Sequence, residues 1–413
     1  MKLVVVWLGL MLLSACSSND WQVRSIPNEA AIAAALDDQL DNVAVADFDL
    51  LGYPKARMPQ AVRPCCAFGT GHKVKVGPTT IPFYRFANTV ALDDIGPHAF
   101  EAGNFSHQKG LPDGSRGGEN NGMIYTQQGG FIDLAHVRDT ADNTVALFYL
   151  IQRQLGESFR VILPDEIGPR HIQFQAVDTS AMSATERREL AIHLAARQAY
   201  FMAEAHEIAQ WHGYRTLAPW SEEVSAYSPE DLYSNMLGAK IAIALLSNNL
   251  TMNTELYNQH MTQWLAASLA YLQPVDKAVT NELFAVIDGH WWDSSQPLPS
   301  KDLLIKRHYQ LGDKQSPYLV PSTLISAATD GESLMRSIDS GAQAKTLSLL
   351  REYNGIALDE IAVQHLSVAP KYQPSFNHIP AHLWQQGFTH ADFSDIARLD
   401  EIADLEQAQK VEQ

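Results

Sequence analysis

Past position 180, apolar and polar residues recur at the three-to-four spacing of a helix; before position 125 they come in short runs broken by Gly, Pro and Asn. The early runs "HKVKVG", "TTIPFYRFAN" and "GMIYTQ" carry branched and aromatic residues between turn formers and predict strands, and "GLPDGSRGGENNG" (110–122) predicts a long loop. "FIDLAHVRDTADNTVALFYLIQRQLG" predicts a helix ending near Gly156, and "SFRVILP" and "RHIQFQAVD" predict two strands after it. Ser183 followed by Glu186 is a capping box opening a helix that runs to about His212, with Gly213 as its stop. Ser228-Pro229-Glu230-Asp231 predicts another start, with Ser228 as cap and Pro229 at the first helical position. "TELYNQHMTQWLAASLAYL" predicts an amphipathic helix; "NEAAIAAALDDQLDN", "KDLLIKRHYQLG", "GESLMRSID" and "HADFSDIARLDEIADLEQAQ" predict shorter ones. The expected class is α+β, with a β-rich N-terminal part packed on a mostly helical remainder.

The first residues change this picture. "MKLVVVWLGLMLLSAC" places one positive charge, Lys2, before an apolar run from Leu3 to Leu13 that is too short to span a bilayer. Its ending resembles the bacterial lipobox, which implies cleavage and lipidation at Cys16, and Ser17 after it favours the outer membrane over the inner. The expected organisation is a signal peptide over 1–15, a tether with a short helix over 16–58, one large domain over 59–395 and a polar C-terminal tail over 396–413. The expected partner is the membrane, through the lipid on Cys16, together with an envelope polymer, lipid or protein. A formal net charge of −17 over 413 residues argues against nucleic acid, whose binding relies on clustered Lys and Arg. Apart from Cys16 only Cys65 and Cys66 remain. A bond between adjacent cysteines is a strained ring, so two thiols are the favoured state and no disulfide framework supports the fold.

Candidate chemistry lies in the polar residues that interrupt these helices. His206-Glu207 has the look of the H-E-x-x-H zinc motif, but position 210 is Gln210 and the next histidine is His212. Six residues turn a helix by roughly 240°, so His206 and His212 face different ways and a simple zincin pair is excluded. Ala195, Ala196, Ala199, Ala203 and Ala209 predict a tight helix contact around His206. Asp133, His136 and Asp139 fall at successive i+3 spacings, and Asp231 with Asn235 at i, i+4. Should the three helices meet, His136, His206 and one of Asp133, Asp139 or Asp231 would form the His/His/carboxylate set of catalytic zinc or another divalent metal, with Glu207 as general base. The competing reading is that each histidine is an ordinary core residue and each Asp a helix cap or ion-pair partner. His290, Trp291 and Trp292 form a third group, read either as the lining of a glycan or peptide groove or as a closed core.

"RPCCAFGTG", "GMIYTQQGGFIDLAHVRD", "AHEIAQWHGY" and "YSPEDLYSN" occur in an order that resembles a bacterial lipoprotein family, domain of unknown function 4056. The likeness runs from about position 60 to 390. It implies an envelope lipoprotein and no established activity. The resulting expectation is a lipid-anchored, periplasm-facing protein with a metal-dependent hydrolase site; the alternative is a non-catalytic binding or scaffolding lipoprotein.

Overall fold

A computed structural model describes residues 26–37, 57–60, 62–63, 73–82, 88–100, 118–216, 222–298, 300–338 and 341–411. The signal stretch, Cys16, Cys65, Cys66 and positions 110–117 of the long loop lie outside the described residues. The fold belongs to the α+β class.

Helix α1 (Glu29–Leu36) is followed by the hairpin β1 (Lys73–Val76) and β2 (Thr79–Pro82). Strands β3 (Asn88–Thr89), β4 (Gly122–Thr126) and β5 (Gly130–Asp133) form a small sheet in that order, and β5 runs straight into α2 (Leu134–Gln154). Asp133 ends the strand and caps the helix, its carboxylate accepting from the Ala135 N–H at 2.7 Å. Strands β6 (Phe159–Leu163) and β7 (Arg170–Phe174) follow as expected, then α3 (Ala184–Trp211), which starts on the anticipated Ser183–Glu186 capping box and stops before Gly213 at φ +92°.

Helix α4 (Asp231–Ser247) is buried at all of its 17 residues, which explains why it shows no amphipathic stripe. It lies against both α2 and α3, so these three helices form the centre of the molecule. Gly238 marks the closest crossing: a Cβ there would stand 2.1 Å from the Val137 carbonyl oxygen of α2. Helices α5 (Thr254–Tyr271) and α6 (Lys277–Ile287) pack outside. The remainder comprises β8 (Lys314–Gln315), α7 (Ser322–Ala327), α8 (Gly331–Ser337), β9 (Leu347–Ser348), β10 (Glu352–Tyr353), β11 (Ile356–Ala357), α9 (Leu358–Ile361), β12 (Ala362–Leu366), β13 (Phe388–Thr389) and α10 (Phe393–Val411). The largest sheet, antiparallel β13-β12-β7-β6, joins strands nearly 200 positions apart in the chain.

Three expectations are corrected. Ser228 does not cap α4; the helix begins later, at Asp231, with no side-chain cap, because 224–230 is spent on tight turns that include Tyr227 at φ 58°. "KDLLIKRHYQLG" holds only a single 3-10 turn, Lys301–Leu303, and no further helix follows within it. The helix predicted over 390–409 is present as α10, but the boundary expected at 396 for a polar tail falls inside it, and Ile396, Ala397 and Asp400 are buried. Asp400 accepts from Tyr227 Oη at 2.9 Å and pairs with His378 at 2.7 Å, which fastens α10 to the turns ahead of α4.

A candidate metal centre where three helices meet

The start of α2, the start of α4 and the last third of α3 enclose Asp133, His136, Asp231, Glu230 and Glu207. Asp133, His136 and Asp231 each offer one ligand atom, all lying within 4.8 Å of one another. His136 Nε2 is 3.2 Å from Asp231 Oδ1 and 3.9 Å from Asp133 Oδ2. Both carboxylates are fully buried and the imidazole is 11% exposed. This buried group can hold a metal ion.

Neutral side chains fix the group in place. The Asp133 N–H donates to Ser234 Oγ at 2.9 Å, and the Ser234 hydroxyl donates to the Glu230 carbonyl at 2.7 Å, tying the head of α2 to the first turn of α4. Asn235, one turn beyond Asp231, contacts His136 Nδ1 at 3.2 Å and is itself held by the Thr140 hydroxyl at 2.7 Å. The imidazole is thus oriented from its far nitrogen, an arrangement common to metal-bound histidines.

The electrostatics call for a cation. Burial and the nearby carboxylates of Glu207, Glu230 and Asp133 drive the Asp231 carboxyl far above its ordinary range. Burial also pushes Glu230 up to about 8 and Glu207 to about 7. Burial lowers His136, keeping the ring neutral and its lone pair available. Glu207 Oε2 accepts from the Tyr227 N–H at 2.6 Å, while among the described residues Oε1, Glu230 Oε1 and both Asp231 oxygens have no hydrogen-bond partner; the Asp231–His136 approach lacks the alignment for one. Buried carboxylates without such partners are costly unless a proton or an ion compensates them, and a metal ion can displace the proton.

The other expected ligands go elsewhere. His206 does not complete the set: its Nδ1 pairs with Glu166 Oε1 at 2.9 Å and its Nε2 meets the Gln210 amide at 3.0 Å. Burial disfavours its charge, but the Glu166 carboxylate outweighs this and raises the ring to about 9. A protonated imidazole cannot ligate. It faces the β6–β7 connection rather than a tight helix contact, and Ala203 beside it is only half-buried. Asp139 is taken by Arg63, whose Nη1 lies 2.6 Å away and whose backbone N–H donates at 2.8 Å. Trp291 and Trp292 line no open groove. Each is 5% exposed, in a core with Phe131 and Phe284, and only His290 after the turn at Gly289 is exposed.

Glu230 and Ser234 do not stand out in the sequence, because Ser228-Pro229 predicts a helix start that makes Glu230 an ordinary residue of the first turn. The i, i+4, i+7 series Asp231, Asn235, Gly238 carries the information: two polar residues and a glycine on one face of a helix whose second half is mostly apolar.

Residues 53–321 match the family described as Protein of unknown function (DUF4056), and the chain belongs to that family. No curated protein and no solved structure matches it. The matched segment includes Asp133, His136, Glu207, Glu230 and Asp231.

Proposed function

We propose that this DUF4056 protein is a lipid-anchored, periplasm-facing metal-dependent hydrolase of the cell envelope, anchored through Cys16 in the outer membrane and acting on an envelope polymer or lipid. The observation that carries the chemistry is the convergence of Asp133, His136 and Asp231 within 4.8 Å, beside the unpartnered Oε1 of Glu207. One imidazole and two carboxylates suit zinc, iron or manganese better than a soft metal. Such an ion would supply Lewis-acid activation of a water molecule.

The chain's own groups have separate tasks. With Nε2 used for ligation, His136 Nδ1 carries the proton and Asn235 presents its oxygen to it. A half-turn of the Asn235 amide achieves this by exchanging its oxygen and nitrogen between the same two positions, the Thr140 hydroxyl then accepting instead of donating. Glu207 is the proton acceptor. Its Oε2 is fixed by the Tyr227 N–H, its Oε1 is free, and its carboxyl sits near neutrality at about 7, where a general base works best.

Glu207→Gln is expected to retain the metal and to lower turnover by about 10²-fold or more, measured on the best substrate from a panel of envelope esters, amides and glycosides. Equal turnover by Glu207→Gln, or no turnover of any panel member by the metal-loaded chain, contradicts the hydrolase. The burial of both ligating carboxylates favours one rival, an ion that ties α2 to α4 without chemistry. In that case metal removal lowers the melting temperature and no substrate is turned over.

A further inference from the structure

The solvent face of the largest sheet carries a second arrangement unconnected with the buried centre. His171 on β7 and His365 on β12 are directly opposite in the antiparallel register. Their rings stack with centroids 4.9 Å apart and planes 11° from parallel. Both residues are partly exposed, and no ring nitrogen of either has a hydrogen-bond partner among the described residues. Burial and the Arg160 guanidinium lower both imidazoles, so both present free lone pairs at neutral pH.

Two stacked rings with neither a carboxylate nor a carbonyl on them are an odd use of a sheet surface. Adjacent imidazoles do little for stability, and on this face the next position across β6 is Ile162, 68% exposed. A pair of nitrogens from directly opposed residues is, however, the geometry that borderline metal ions take. A metal–imidazole bond is about 2.0–2.1 Å, so two of them span up to roughly 4.2 Å. The 4.9 Å separation is between ring centroids, and imidazole lone pairs lie in the ring planes, so the two nitrogens converge on one ion when the partly exposed rings turn out of their stack about χ1 and χ2. Arg160 opposes a cation here, but its Nε is turned onto Gln173 Oε1 at 3.2 Å. His390, the other nearby imidazole, is engaged by the Gln364 N–H and by Asp359.

We propose that His171 and His365 form a surface bis-imidazole site for a borderline divalent ion of the Cu²⁺, Ni²⁺ or Zn²⁺ class, excluding Mg²⁺ and Ca²⁺, which need oxygen ligands. The test is retention of the full chain, free of any added tag, on an immobilised Ni²⁺ column developed with imidazole. The wild type is expected to be retained, and H171Q and H365Q each to elute at an imidazole concentration several-fold lower. H290Q and H382Q, which change exposed single histidines, should elute with the wild type. Circular dichroism confirms that the variants are folded. Flow-through of the wild type, or elution of H365Q together with it, overturns the assignment. Neither result bears on the buried centre, whose test is its own metal content.

Discussion

Gly238→Ala is expected to lower stability by about 2 kcal/mol and to empty the metal centre at the same time. Alanine in place of glycine inside a helix gains nearly 1 kcal/mol from propensity alone. Here the added Cβ would lie 2.1 Å from the Val137 carbonyl oxygen and 2.9 Å from its carbon, and these are backbone atoms with no rotamer to yield. Helices α2 and α4 must separate, and overpacking of this kind costs about 1–3 kcal/mol, occasionally more. Val137 adjoins His136, while Gly238 shares a helix face with Asp231 and Asn235, so the separation acts where the ligand atoms converge. Thermal unfolding checks the first effect and metal content the second. A variant as stable and as metal-rich as wild type would show that the close crossing does not position the site.

Arg63→Met should be the most damaging single change outside the centre, costing about 3–5 kcal/mol. The guanidinium is 1% exposed and engages Glu119 at 2.7 Å, Asp139 at 2.6 Å and Asp142 at 2.9 Å, besides donating to the Ala99 carbonyl. His98 bridges Glu119 and Asp142 from the other side, and Tyr257 donates to Asp142 at 2.8 Å. Removing the cation leaves three buried carboxylates with one fewer charge to answer them. The effect has a definite pH signature. Burial works against their charge, but Arg63 with its neighbours holds Glu119 and Asp142 below the ordinary carboxylate range. Their contribution is present above the unfolded-state value and is lost as pH falls through the folded one. In Arg63→Met the same groups are shifted upward, and protonation relieves them. The gap between variant and wild type should therefore narrow as pH is lowered from 7 towards 4, and a gap that widens would contradict this reading of the network.

The same network shows what could be read from the sequence and what could not. Features written in local chemistry were legible: the Ser183–Glu186 box, the stop at Gly213, and strands β6 and β7 all depend on residues a few positions apart. The i+3 spacing of Asp133, His136 and Asp139 was legible too, but it could not reveal that Asp139 faces away from its neighbours. That division is made by Arg63, 76 positions upstream, which claims Asp139 and leaves Asp133 and His136 to α4. His206 was misread for a similar reason, since its partner Glu166 lies in a turn 40 positions away with no periodicity to announce it. Asp231 was found through its i, i+4 relation to Asn235, and Glu230 was hidden by a plausible but mistaken cap. Strand β12 has the same length as β6 and β7 but is not announced locally, because its pairing partner lies almost 200 positions earlier. Contacts across such distances are decided by packing, which a single chain of letters does not display.

The most direct measurement is the metal content of the purified full chain after reloading with zinc, iron or manganese and exhaustive dialysis, compared with His136→Gln and Asp231→Asn. Wild type should keep about one equivalent of a divalent ion per chain, and both variants should fall to background while still folded. In metal-free protein, Asp231→Asn should even be the more stable chain, because it removes a buried carboxyl that must take up a proton to stay there without an ion. Wild type that retains no ion, or variants that retain as much as wild type, would leave Asp133, His136 and Asp231 as an unusual piece of core and nothing more.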